Sequence, residues 1–348
     1  MEEKPCDPLT DAPNNNRNGR PRGSRHKTIR IRTLLTLMLA ACIINVIIFI
    51  FLYYQSGKRF SDTGLPFVSA VPPDFLYNIY EGKNKFQHPI AVAVYSDGRI
   101  FVSNNRNHTV ETVLPNGNPG IAFGGSGESE GLMLYPYGVD FLPGGNLLVA
   151  ETGNYRVQEY TRTGKYVRTF IPKNNKFGLE KPGPIKVDSK GRIYIGDLSG
   201  NCVFVLNRAG KLLRKIENIS YPHGIAIDEK NQRLYVSDAG QAVIKVFPLN
   251  KASGKPQQVI GQVTGDGVGF SVIRGLEVDN LGRLYVVDSL AGVVRVFDKK
   301  GQYLFSFGGQ GFEDGQFLYP NGIYADDTGK IYVADWGHDR VQVWGYRK

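Results

Sequence analysis

Six positions in this chain could bring side-chain chemistry to one place. They are the middle residues of a recurring P-x-G triplet, occupied by Ile90, Tyr137, Gly183, His223, Arg274 and Asn321. Successive triplets stand 40 to 51 residues apart, and Ile273 takes the place of Pro in the fifth. The set contains a phenol, an imidazole, a guanidinium and a carboxamide, which suits recognition of a polar or charged ligand. It contains no carboxylate. One imidazole cannot by itself build the several-ligand site that zinc requires. No Ser-His-Asp or Cys-His arrangement stands out, so no catalytic residue is assigned and no cofactor or metal is expected.

The elements that must carry these positions are strands. Each triplet opens a longer repeated unit: P-x-G-[IV]-x-[VF]-D, a turn, G-[RKN]-[IL]-[YL]-V-x-[DE], a loop, and [RVI]-V-x-V. The clearest copies begin at Tyr135, Tyr221 and Tyr319. The runs Arg192–Ile195, Arg283–Val286 and Lys330–Val333 are rich in β-branched and aromatic residues, as strands are. Gly turns such as Lys190-Gly191-Arg192 and Lys299-Lys300-Gly301 supply the positive φ that tight hairpins need. A period in the mid-forties built from strands is that of a propeller blade. The last copy stops after three strands, at Trp344. A sequence with the character of a fourth strand, residues 75–80, precedes the first copy. These residues are expected to complete the last blade and close the ring, which removes open sheet edges. The domain expectation is a six-bladed all-β propeller over residues 75–348.

The repeat resembles the NHL repeat over about residues 75–346, with copies two and six the best matches. The resemblance implies a β-propeller, most often six-bladed. As a guide to function it is broad: such domains include RNA binders, extracellular sensors, protein-interaction platforms and a lyase that amidates peptide ends. In that lyase, metal-binding histidines occupy the x of P-x-G in three blades, whereas here only His223 does. A lactonase-like propeller would need several carboxylates and amides around its channel, and the six mouth positions offer no acid.

Residues 34–54 carry no charge and would span roughly 30 Å as a helix, the thickness of a bilayer core. They are expected to form a transmembrane anchor. Arg17, Arg20, Arg22, Arg25, Lys27, Arg30 and Arg32 precede them with no intervening acid, so residues 1–33 are read as a disordered basic cytoplasmic tail. Residues 55–74 are read as a linker, and the propeller is placed outside the membrane, at the cell surface or in the periplasm. Of the three cysteines, Cys6, Cys42 and Cys202, one falls in the exported part, so no internal disulfide forms there; this leans towards a bacterial origin.

The fourth-strand position of residues 75–80 makes the chain enter the ring on the face that carries the Gly hairpins. That face is basic: Arg99, Arg162, Lys165, Arg192, Lys211, Arg233, Arg283, Lys300 and Lys330 lie on it. It is expected to look towards the membrane, against anionic lipid or a wall polymer. The opposite, irregular-loop face carries Tyr137, His223, Arg274, Asn321, Arg106, Tyr155, Trp336 and His338. This mixture of aromatic and polar groups suits a protein, peptide or glycan partner. The functional expectation is a membrane-anchored binding or scaffold propeller. The alternatives are a hydrolase or lyase at the channel mouth, and an RNA-binding domain, the last in conflict with the expected location.

Overall fold

The computed structural model describes residues 71–79, 86–250, 254–261 and 269–346, together with Leu39 and Ile44. The chain divides into two units, Met1–Leu65 and Pro66–Lys348. In the first, Leu39 and Ile44 are both helical. Among the described residues no helix is long and apolar enough to cross a membrane. The rest of the expected tail and anchor, and most of the linker, lie outside the described residues.

The second unit consists of six four-stranded antiparallel sheets. The inner strands are Pro89–Val94, Pro136–Phe141, Pro182–Val187, Ile225–Asp228, Ile273–Val278 and Pro320–Ala325. The last sheet is completed by Asp74–Ile79, which pairs with Arg340–Gly345 from Asp74↔Gly345 to Ile79↔Val341. The ring is therefore closed by its N-terminal strand, and the chain enters it on the hairpin face, as its sequence implies. A second clasp bridges the same seam: the His88 backbone N–H donates to Asp339 Oδ1 at 2.8 Å, and the His88 ring stacks on Trp336 at 4.0 Å.

The core lies between neighbouring blades. Phe101, Met133, Leu147, Val149 and Tyr160 fill one such space, and Phe307, Phe317, Val333 and Trp344 another. Fully burying each such side chain is worth about 1.5–3 kcal/mol. The glycine of the triplet is required by packing rather than by φ. A Cβ on Gly138, Gly224 or Gly322 would run into the backbone of the next inner strand, at Gly183, Arg274 or Ile90. Bare backbones thus meet at the waist of the channel.

The residue that closes each second strand is a blade pin, an acid in five blades and Asn104 in the first, which accepts the Gln87 N–H at 2.6 Å. Glu151, Asp197, Asp238, Asp288 and Asp335 are fully buried. Each accepts backbone N–H groups of the loop before its inner strand, as Asp335 does from Leu318 at 2.8 Å. Each then needs a cation or further donors. Arg156 and Arg340 serve five residues on, at 2.9 Å in both cases. In two other blades the cation has moved to seven residues on, as Lys245 at 2.6 Å and Arg295 at 3.1 Å. In the third blade Cys202 fills the arginine slot. There Asp197 is held instead by the N–H groups of Glu180, Lys181, Ser199 and Gly200. Burial and the nearby Asp197 charge push the Cys202 thiol up to about 12, so it stays protonated.

Candidate functional site at the loop-face mouth

The triplets open the inner strands with a bulge. Pro136 pairs with Glu151 and Val139 with Val149, so Tyr137 and Gly138 on one strand oppose Ala150 alone on the other. The same shift recurs at Pro89, Pro182, Ile273 and Pro320. A bulge re-aims the side chain it contains. It brings Ile90, Tyr137 and Asn321, together with His223 from the fourth blade, whose inner strand has no such shift, around a narrow central passage of about 50 Å³. Ile90, Tyr137, Arg274 and Asn321 also line a cavity of about 500 Å³, with Val272, Leu290, Tyr319 and Trp336. Four of the expected site residues, Tyr137, His223, Arg274 and Asn321, thus converge at the mouth, and Trp336 joins them.

Three of these side chains touch. The Tyr137 hydroxyl lies 2.9 Å from His223 Nδ1. Arg274 Nη1 lies 2.8 Å from His223 Nε2 and 3.0 Å from Nδ1. A neutral imidazole satisfies both partners by donating from Nδ1 to the Tyr137 oxygen and accepting from Arg274 at Nε2. Burial, followed by the charges of Arg274 and Lys181, pushes the His223 pKa down to about 3. Burial likewise raises Tyr137, against the pull of Arg274. The imidazole lies between two phenol rings, with centroids 6.4 Å from Tyr137 and 6.5 Å from Tyr221.

Two tyrosines in strained backbone, Tyr221 against His223 and Tyr319 in the cavity wall, stand beside this triad, and Tyr135, set against His108, shares their conformation. Tyr135, Tyr221 and Tyr319, each just before a triplet proline, have φ of 51°, 52° and 53° and are about half exposed. Left-handed backbone at a non-glycine residue costs of order 1–3 kcal/mol, and such strain gathers at functional sites. Tyr319 meets the Trp336 ring edge-on at 6.3 Å.

Three expected site residues go elsewhere. His338 turns into the sixth blade, with Nδ1 2.7 Å from Asp335 Oδ2, and belongs to the blade pin. Tyr155 is exposed beneath Lys173, whose Nζ is 5.1 Å from its ring. Arg106 is exposed on the first blade, with its backbone tied to Gln87. Neither lines the mouth cavity.

On the hairpin face much of the basic charge is already engaged. Arg99 pairs with Asp97 at 2.8 Å, Arg192 with Asp188 at 2.5 Å and Arg283 with Asp279 at 2.6 Å. In each case the same Asp also accepts backbone N–H groups of its turn, so these arginines finish the hairpins. Arg162 covers the Tyr95 ring and Arg233 donates to the Lys299 carbonyl. Lys330 lies 6.0 Å from the Tyr77 ring. No ion pair is formed by Lys165, Lys211 or Lys300 among the described residues.

The other end of the channel holds charge that the triplet reading missed. The second inward slot of the inner strands is occupied by Ala93, Asp140, Lys186, Ala226, Glu277 and Tyr324. Lys186 Nζ pairs with Glu277 Oε2 at 2.5 Å and lies 5.4 Å from the Tyr324 ring. Asp140 Oδ2 accepts the Val187 N–H at 2.7 Å. Burial raises the Asp140 and Glu277 pKa values, with Lys186 opposing it. Burial works to lower Lys186, but Glu277 and Asp140 together hold it above its ordinary value. These residues occupy the second x of the register P-x-G-[IV]-x, four residues after the first position of the triplet.

Residues 128–308 match the SMP-30/gluconolactonase/LRE-like region, and residues 317–344 match the NHL repeat. NHL repeat-containing protein 3 of Mus musculus is 27% identical over 190 residues, which is 49% of this chain and 54% of that protein. The protein brain tumor of Drosophila melanogaster is 29% identical over 144 residues, or 40% of this chain and 13% of that protein. This chain therefore spans about half or less of the length of these relatives. Among solved structures, a gluconolactonase of Xanthomonas campestris has a TM-score of 0.62 at 15% identity, covering 80% of this chain and 96% of that one. A virginiamycin B lyase of Staphylococcus aureus has a TM-score of 0.55 at 15% identity, covering 79% and 88%. At such identities the likeness is one of fold. With more than half of its length matched, the chain belongs to the SMP-30/gluconolactonase/LRE-like family of six-bladed β-propellers, and its last blade is an NHL repeat.

Proposed function

We propose that this protein is a binding propeller that receives its ligand or partner at the loop-face mouth. The observation that carries this reading is the cavity of about 500 Å³ walled by Tyr137, Tyr319, Trp336, Leu290 and Val272, with Arg274 and Asn321 as polar contacts. Its size and its mixture of aromatic walls with few polar groups are those of ligand sites. Display on the outer side of a membrane completes the proposal. The uncharged stretch 34–54 with its basic N-terminal flank supports it. A reporter fused to the C-terminus should be found outside; a cytoplasmic signal would remove this part. Peptide and glycan arrays probed with the full chain test the binding site. Captured ligands should be lost on Trp336→Ala and kept after charge reversal at Lys211 and Lys300. The opposite pattern would move the site to the hairpin face.

A second reading, a hydrolase or lyase, is favoured by one observation: a neutral imidazole, His223, bonded to the Tyr137 hydroxyl beside a cation. That geometry can relay a proton, and the family includes proteins named for lactone chemistry. Turnover of lactones or esters that is abolished by His223→Gln would establish it.

A further inference from the structure

The charge at the mouth names the ligand's chemistry. Among the described residues, Arg274 is the only charged one lining the cavity. Among the described residues no carboxylate lies within ion-pair distance of it, whereas Arg156, Arg283, Arg295 and Arg340 each have one. Its contact is His223, which the same guanidinium helps keep neutral. A half-buried cation among apolar walls gains from an anion far more than a solvated one does, because water no longer screens it. Charge-assisted bonds to a guanidinium are short and strong, and the planar fork matches a carboxylate.

Resting on the mouth as the binding site, we infer that the cavity takes a small organic monocarboxylate with an apolar body. The carboxylate pairs with Arg274, and the body lies against Leu290, Val272, Tyr319 and Trp336. One guanidinium beside an uncharged imidazole balances one negative charge, so a phosphate dianion is left half compensated. Asn321 and the Tyr137 hydroxyl are neutral groups that can bond to the second carboxylate oxygen without adding charge. An anion on Arg274 offsets one of the charges that oppose protonation of His223, but burial, the larger cause, remains, so the ring stays neutral.

The chain contains a reporter for the test. Of its two tryptophans, Trp336 lines the cavity and Trp344 is buried in the core. The full chain is titrated with cyclohexanecarboxylate, cyclohexanecarboxamide and cyclohexyl phosphate, followed by tryptophan fluorescence and by calorimetry in two buffers of different ionisation enthalpy. The carboxylate should give a saturable signal that Trp336→Phe removes. It should bind at least about tenfold more tightly than the carboxamide, and Arg274→Gln should weaken it by about tenfold or more, the usual scale for a charge-assisted bond. Arg274→Lys should restore part of the loss, and binding should be accompanied by no proton uptake above about pH 6.5, where the imidazole is neutral. Equal binding of acid and amide, indifference to Arg274→Gln, tighter binding of the phosphate, or no response to any of the three overturns the inference. The array experiment with Trp336→Ala reads the mouth by itself, so the loss of this inference leaves that reading separately decided.

Discussion

The two ends of the channel solve the same problem differently. At the hairpin end a cation, Lys186, is met by Glu277 at 2.5 Å with Asp140 close by. At the loop end a cation, Arg274, is met by a neutral His223 and by no acid among the described residues. Both sit on inner strands of the same repeat, a few residues from equivalent register positions, so topology does not explain the contrast. A buried charge that is paired within the fold closes a channel. One left unpaired beside a cavity keeps a place for something else. Stability should therefore depend on Lys186 and binding on Arg274.

The largest expected effect lies at the closed end. Lys186→Met leaves Asp140 and Glu277 with backbone N–H donors but no cation, and breaking a buried pair in this way costs about 3–5 kcal/mol. Urea unfolding should show the loss, and adding Asp140→Asn with Glu277→Gln should recover much of it. Arg274→Met should change stability by about 0.5 kcal/mol or less, as for a residue outside the packed framework. A larger fall for Arg274→Met than for Lys186→Met would reverse the assignment of the two ends.

Between the ends, the waist is held by glycines. Gly224→Ala places a methyl group on the Arg274 carbonyl, a clash the next inner strand can relieve only by moving. Overpacking of this kind costs about 1–3 kcal/mol. Gly309, with nothing near its would-be Cβ, is the control and should tolerate Ala. If Gly224→Ala left both the melting temperature and the Trp336 fluorescence unchanged, the waist would not couple the ends.

Much of this was legible in the residues, for physical reasons. Blade number and ring closure follow from strand period and from the displaced fourth strand, and both are set locally by turn glycines and alternation. The mouth residues were legible because the bulge is part of the repeat, so one slot in register gives one ring of side chains. His338 was misjudged because its partner is fixed by rotamer: it folds back three residues to Asp335, which no slot rule contains. Arg106 and Tyr155 share the loop face with the mouth but not its radius, and sequence period carries no radial coordinate. Asp140, Lys186 and Glu277 stood in a slot that could have been read; their meaning lies in their mutual distance across the channel, which only the closed ring supplies.

A smaller effect separates the ends by pH. Above about pH 6.5 His223 is neutral folded and unfolded alike. Between that value and about 3 the unfolded chain takes up a proton that the fold refuses, so this site lowers stability as pH falls. The contribution to the slope of stability against pH approaches about one proton in that window. His223→Gln should flatten the slope, and Arg274→Gln should flatten it partly by removing one of the charges that oppose protonation. A slope unchanged by either variant would mean that the imidazole is already solvated and that the mouth is no drier than the surface.

The smallest expected effect on the fold is at the hairpin face, and it sharpens what a free charge means. Arg99, Arg192 and Arg283 complete their turns through Asp97, Asp188 and Asp279, whereas Lys211 and Lys300 are exposed and make no ion pair among the described residues. Charge reversal at both lysines should shift stability by no more than about 0.5 kcal/mol, because exposed charges in water interact weakly. Adsorption to vesicles rich in anionic lipid is the discriminating measurement. An exposed lysine is unpaired because water already solvates it, so its freedom says nothing about a ligand. Arg274 is partly buried beside a cavity and has no acid next to it among the described residues, so an anion there would be less screened than at the surface. If the Lys211→Glu, Lys300→Glu variant loses vesicle adsorption, the hairpin face has a lipid-directed role of its own. If it does not, the significance of free charge in this propeller is confined to the mouth, and burial rather than lack of a partner is the property that marks a site.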